Sequence, residues 1–345
     1  QEPQPGHHAT GRSAAVLSET SGPRAVCALA RASRPFLEAP PTDFVDHPLT
    51  APRGLLWVGR AGDEPLLDAL DAVARSGVAP TARRIGVDEV AALHPALRPE
   101  AVAAGALHEP DARSIDVAAL LQAYVRGATR RGALVLTGAP ATGATAIDHQ
   151  HGGWHVLVGD TAIEADVVVN AGGAWGDEIA KLAGVDPLGL TPMRRTACVV
   201  PLADVDRAWP LVMDVAGRYY FEPEAGGLLV SPADETPSAP LDARPHEEDV
   251  ARALDALRDA TTLPVRSVVR SWAGLRTFAP DRLPVLGEDP DARGFVWLVG
   301  QGGAGIKTAP AMAEALGSIV RDEPWPAALR ELGVTADHLS PARLR

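Results

Sequence analysis

Cysteine is almost missing from this chain: its 345 residues hold two, Cys27 and Cys198, far apart and in no Cys-x-x-Cys spacing. A disulfide framework and a cysteine-built zinc site are therefore excluded, and a reducing, cytoplasmic setting suits the chain. Lysine is as scarce; Lys181 and Lys307 are the only two, so arginine carries nearly all the positive charge. Long hydrophobic runs are lacking too, and nothing approaches the length that spans a bilayer. The longest apolar stretches, such as Asp166-Val-Val-Val-Asn170, read as buried strands. There is no basic cluster, and the net charge is −12, which argues against nucleic acid and anionic membrane as partners. An initiating methionine is absent as well. Gln1 to Gly6 reads as the loop after a strand, and any targeting signal would lie upstream.

What is present fits a globular enzyme: 46% hydrophobic and 22% charged residues, over a length that calls for two interleaved domains. Helical patterns run from Pro23 to Leu37, from Glu64 to Ser76 and from Val87 to His94, the last stopped by Pro95. Asp116 caps a further helix to Arg131, and the turn at Gly132 leads into a strand over Ala133–Leu136. Trp154–Val158 and Ile163–Asn170 read as strands. The apolar end of the second marks a strand covered on both faces. From 190 to 275 the pattern is strand and turn: Arg194–Val200, Arg218–Glu222, Gly227–Ser231 and Val265–Leu275, with one helix near Glu247–Arg258. A buried strand, Gly294–Gly300, then meets a glycine-rich turn and a closing helix from Thr308 to Val320. The order predicts an α/β cofactor domain (1–50, 112–190 and 277–345) interrupted by a mostly antiparallel β domain (51–111 and 191–276).

Three small-residue junctions carry candidate chemistry. In Gly300-Gln-Gly-Gly-Ala-Gly-Ile-Lys-Thr308 a strand runs into glycines that open a helix, leaving backbone N–H groups free at a positive dipole end. In Thr10-Gly-Arg-Ser-Ala-Ala15, small residues flank a lone arginine, so a flat ligand could lie against the backbone. Val169-Asn-Ala-Gly-Gly-Ala-Trp175 is a third such strand-to-helix turn.

These blocks and their order resemble the FAD-dependent D-amino-acid oxidase superfamily, and most closely its bacterial D-arginine dehydrogenases. Pro5–Ala15, Ser114–Tyr124, Val169–Trp175, Trp272–Phe278, Gly300–Thr308 and Leu339–Leu344 all fall in family order. The resemblance implies a glutathione-reductase-type FAD domain and non-covalent FAD, held by Thr10, Gly11, Arg12, Ser13, Ala14, Ala15, Ala141, Ala171, Gly172, Trp175, Gly274 and Gly302 to Lys307. Some relatives bind flavin through a cysteine, where this chain has Gly274. One departure stands out: the strand and G-x-G-x-x-G turn that open the family, roughly 30 residues, are not in this sequence. The expectation is of a fragment or a longer gene product.

The resemblance also assigns a substrate pocket. Arg276 would clamp an α-carboxylate with its planar fork, Arg195 would assist, and Tyr220 would add a hydroxyl. Because alternate strand residues face opposite ways, only one of Arg194 and Arg195 can point inward. Lys307 matches a lysine near the flavin in sarcosine and glycine oxidases. Leu55 and Val16 stand where the D-arginine enzymes carry a glutamate and a histidine, so a neutral or apolar D-amino acid is expected. The implied reaction passes hydride from Cα–H to flavin N5 and ends in a 2-oxo acid and ammonia. The alternatives are a sarcosine- or glycine-oxidase-like amine oxidase, and a non-catalytic remnant that no longer binds FAD. The electron acceptor, oxygen or a quinone, is open; a quinone would imply a membrane-peripheral enzyme. No metal is expected.

Overall fold

The computed structural model describes residues 2, 4–146 and 153–345. Its largest element is a nine-stranded sheet whose strands come from 55–109 and 191–278. Period-2 patterning sets its two faces. Strand Arg270–Phe278 buries Ala273, Leu275 and Thr277 on one side and turns Trp272, Gly274 and Arg276 to the other. It pairs antiparallel with Thr191–Pro201, placing Arg195 opposite Gly274 and Met193 opposite Arg276. Gly227–Ser231, Tyr220–Glu224 and Leu211–Asp214 follow in the sheet. Leu211–Asp214 lies parallel to Leu55–Val58, and so joins two distant parts of the chain.

Helix Glu247–Ala260 closes the far face. Its Ala253 and Leu257 meet Cys198, Val230 and Phe221, which are wholly buried. Burying each large side chain there contributes about 1.5–3 kcal/mol. A second layer pairs helices Arg24–Glu38 and Gly305–Val320, with Cys27, Ala28 and Leu29 against Ala311, Met312 and Ala315. Pro310 has no N–H to give the carbonyl of Ile306. Beyond that interruption Ala311 N–H donates to the Ser33 hydroxyl at 3.1 Å, which ties the two helices together. Strand Val168–Asn170 runs parallel to Ala292–Val299, whose other edge pairs with Val285–Asp289 over a core of Phe295 and Trp297. Asp116 caps helix Val117–Arg130, accepting the Ala119 N–H at 2.8 Å.

The mixed α/β arrangement expected from the strand–helix order is present, with four local corrections. Ala133–Leu136 is no strand: no partner strand lies alongside, so its backbone has no ladder to join, and Leu134 is 86% exposed. Ile163–Asn170 divides in two. Thr161–Ala165 joins Trp154–Val158 in an antiparallel meander, while Val168–Asn170 forms the edge of the parallel pair, so Val169 is exposed rather than covered on both faces. The helix from Glu64 ends at Val73 and widens into a turn at Ala74–Val78, where Gly77 takes φ +93°. The closing helix begins at Gly305, three residues before Thr308. Gln1 and Pro3, part of the expected opening loop, lie outside the described residues. Among those described, no helix is long and apolar enough to cross a membrane.

Candidate active site

The open face of the large sheet floors a cavity of about 480 Å³. Arg195, Tyr220 and Arg276 all reach it, from three different strands. Alternation does the sorting. Arg194 turns to the opposite face and pairs with Asp249 at 3.1 Å, and Tyr219 turns into the core against Phe221. Arg195 gives its Nε–H to the Asp234 carbonyl at 2.7 Å and lies 3.1 Å from Glu235, a carboxylate it shares with Arg282. Its guanidinium sits 5.9 Å from the centre of the Tyr220 ring. Burial, and then the like charge of Arg276, hold Arg195 below the ordinary arginine pKa. The Arg276 guanidinium has no hydrogen bond or ion pair with any described residue. The two guanidiniums are neighbours, and one of them is unspent.

The glycine-rich turn forms the roof beside them. Gly302 N–H donates to the Thr277 carbonyl at 2.8 Å, and Gln301 bridges Phe278. A side chain at either of the next two positions would collide with its neighbours. A Cβ on Gly302 would stand 2.3 Å from the Phe278 ring, and one on Gly303 would stand 2.9 Å from Arg276 Nη1. The N–H groups of Gly303, Gly305 and Ile306 meet no backbone carbonyl among the described residues, and all three residues line the cavity. They are donors at the positive end of helix Gly305–Val320.

Ala171, Gly172 and Trp175 close a further side, with Thr10, Arg12, Ser13 and Gly274. Arg12 is spent within the protein. It donates to the carbonyls of His7, Ala243 and Ala273 and pairs with Asp242, while its own carbonyl accepts the Trp272 indole N–H. It pins the Thr10–Ser13 segment to the sheet rather than offering charge to a ligand. Gly11, Ala14 and Ala15 border a second, more open hollow of about 1220 Å³ across that segment, with Glu222 in its wall.

The remaining expected residues lie off the first cavity. The Lys307 side chain leaves in another direction, donating to the carbonyls of Ser18 and Ser21 at 2.9 and 2.7 Å. Ala304 is the buried N-cap of its helix. Leu55 is wholly buried and Val16 half-buried, both in the apolar cluster that backs Tyr220. Neither lines either hollow. Ala141 is on an exposed strand of the meander. Sequence reasoning missed His8, whose ring lies 4.7 Å from that of Trp175, and the wall residues Leu241 and Ala243. His8 stood inside a block already singled out. The Leu241–Ala243 loop carries no motif; it is held through Arg12 to Ala243 and Asp242 and by Ala243 packing on Ala273 and Leu275. Cys27 and Cys198 line neither hollow, and burial pushes both thiols up to about 11.

The description of the DAO family, "FAD dependent oxidoreductase", matches residues 1–319. Mitochondrial dimethylglycine dehydrogenase of Mus musculus is 29% identical over 259 residues, covering 69% of this chain and 29% of that protein. The chain thus spans about three tenths of the length of that curated relative. Glycine oxidase from Geobacillus kaustophilus superposes with a TM-score of 0.82 at 21% identity, covering 97% of this chain and 90% of that one. L-proline dehydrogenase from P. horikoshii follows with 0.79 at 18% identity, covering 97% and 87%.

Proposed function

The chain belongs to the FAD dependent oxidoreductase family, and from that premise we propose that it oxidises the carbon–nitrogen bond of a small amino acid, a D-amino acid of neutral side chain being the favoured substrate. The observation that carries this reading is the unspent guanidinium of Arg276 beside Arg195 and Tyr220 in one cavity. A carboxylate is the planar anion that such a fork accepts in two parallel hydrogen bonds. Its arrival relieves the repulsion between two half-buried cations, so the seat is selective for charge as well as shape. The Tyr220 hydroxyl would donate to the same group. Ala197, Leu241 and Ala243 continue the wall and suit an apolar side chain.

The residues present fit the flavin end of FAD. Gly303, Gly305 and Ile306 line the cavity with N–H groups that meet no backbone carbonyl among the described residues, and a Cβ on Gly303 would press on the Arg276 guanidinium. Those N–H groups would hold an electron-rich ring edge, with Ala171, Gly172 and Gly274 allowing close approach. The dinucleotide end has no counterpart among the described residues, because no glycine-rich strand–turn–helix precedes Val16. When bound, FAD supplies the hydride acceptor that turns an amine into an imine. This chain's part is to fix the carboxylate, exclude water with apolar walls, and keep the amine neutral by offering no free carboxylate beside the guanidiniums. Glu235 is already held by Arg195 and Arg282. The imino acid then hydrolyses to a 2-oxo acid and ammonia.

A second reading, oxidation of glycine or an N-methyl amino acid, is favoured by the names of dimethylglycine dehydrogenase and glycine oxidase among the similar proteins. The test is the visible spectrum of the holoprotein, expressed with its natural upstream sequence, as amines are added anaerobically one at a time. Bleaching by D-leucine or D-methionine ahead of D-arginine supports the first reading. Bleaching by sarcosine or dimethylglycine alone supports the second. A protein with no flavin bands even after FAD is supplied has lost the activity altogether.

A further inference from the structure

Lys307 is 5% exposed in the first turn of helix Gly305–Val320, where the helix dipole opposes a cation and burial adds a desolvation cost. Its two hydrogen bonds go to one short segment, to the carbonyls of Ser18 and Ser21. That segment is gripped from three other elements. Glu109, at the end of strand Ala106–Glu109 in the large sheet, accepts from the Ser18 hydroxyl at 2.8 Å and the Glu19 N–H at 2.6 Å. Arg34 of helix Arg24–Glu38 donates to Glu19 at 2.6 Å, and the Trp57 indole donates to Thr20 at 2.8 Å. Glu19 and Glu109 are both buried and supply the negative charge that lets a lysine stay there.

The turn that Lys307 anchors is held on its near side by Gly302 N–H to the Thr277 carbonyl and by Thr308 N–H to the Ala304 carbonyl. Glycines precede it, and Pro310, lacking an N–H, omits one helical bond to it, the one to Ile306. Yet this turn carries the donors of Gly305 and Ile306, and Gly303 just before it packs against the Arg276 guanidinium. We propose that Lys307 is a positioning residue: through Ser18–Ser21 and Glu109 it clasps the glycine-rich turn to the large sheet and so sets Arg276 and the backbone donors, without touching flavin or substrate. This rests on the carboxylate seat of the proposed function, but the clasp can be read without it.

The test uses the full-length holoprotein and the variants Lys307→Met, Lys307→Gln and Glu109→Gln. Amide hydrogen exchange is read over 301–309 and 16–22, and acetate affinity from the flavin absorbance it perturbs. Lys307→Met should speed exchange about 10-fold in those two segments and not elsewhere, and weaken acetate at least about 5-fold. Lys307→Gln keeps donors for the carbonyls and should change acetate affinity by less than about twofold. Glu109→Gln, which keeps the side chain's shape but removes its charge, should fall between them. Unchanged exchange in Lys307→Met overturns the clasp. Faster exchange with unaltered acetate affinity makes it merely structural and overturns the positioning role. A shift of the flavin bands common to Met and Gln would mean that Lys307 touches the flavin, and also overturns it. If wild-type protein binds no acetate, the carboxylate seat fails while exchange still decides the clasp.

Discussion

Two regions of this molecule gather charge, and they treat it in opposite ways. Around Ser18–Ser21, Glu19, Glu109, Arg34 and Lys307 are buried, and each is engaged within the protein: by one another, by the Ser18 and Thr20 hydroxyls and the local backbone, and by Arg31 and Glu38 at the edge. At the cavity, Arg195 and Arg276 stand together, and the one carboxylate among the described residues that pairs with either is Glu235, which Arg195 shares with Arg282. Ion pairs that are complete inside a protein fix geometry. A cation left without a partner beside another cation stores an affinity for something from outside. By this criterion Arg276 is the residue aimed at a ligand, and Lys307 is the one that holds the frame.

The contrast can be broken most directly at its open end. Arg276→Ala should lower kcat/KM on the order of 1,000-fold, since a charged pair with substrate is lost, and Arg276→Lys should recover little of it. Steady-state kinetics on the full-length holoprotein checks this, and a loss below 10-fold would remove Arg276 from the seat. Next in size is Gly303→Ala, whose new methyl must displace Arg276 Nη1 from 2.9 Å. It should cost about 10- to 100-fold in KM. Gly86→Ala, where a Cβ meets nothing within 4 Å, is the matched control and should be silent. Tyr220→Phe removes one neutral donor and should cost about three- to tenfold.

The smallest effect sharpens the comparison with an intermediate case. Glu222 is 7% exposed, accepts no hydrogen bond from a described residue, and has Arg53 at 3.5 Å. Burial pushes its carboxyl up to about 7, against an ordinary value of 4.5. The folded protein therefore keeps this proton to higher pH than the unfolded chain does. The stability it contributes is fully present below 4.5 and is lost as pH rises through about 7. Glu222→Gln should flatten that decline, so its melting temperature should exceed wild type at pH 8 and match it near pH 5. Parallel melting curves at both values would show that Glu222 titrates normally.

Much of the cavity was legible in the sequence because strands and glycine turns obey local rules. Alternation alone required Arg194 and Arg195 to part, and a glycine run between a buried strand and a helix announces free N–H groups before any fold is known. The rest depended on where distant segments meet. Nothing local distinguishes Lys307 facing a flavin from Lys307 reaching the carbonyls of Ser18 and Ser21; a residue near 20 in the chain decides it. Leu55 and Val16 were placed by likeness of position, but a strand position shared with relatives does not tell which face a neighbouring cluster will cover. Leu134 to Leu136 has the composition of a strand and lacks only the neighbour that would make it one.

The parallel join between Leu55–Val58 and Leu211–Asp214 also has a consequence for synthesis. The first of these strands leaves the ribosome long before the second, and Arg276 comes later still. Until then the early strands have an exposed edge and no floor to belong to, a state in which pairing with another chain competes with waiting. Contacts this remote in sequence close slowly, so refolding should be slow relative to helical proteins of similar size. The proposed substrate seat is then among the last features of the molecule to exist.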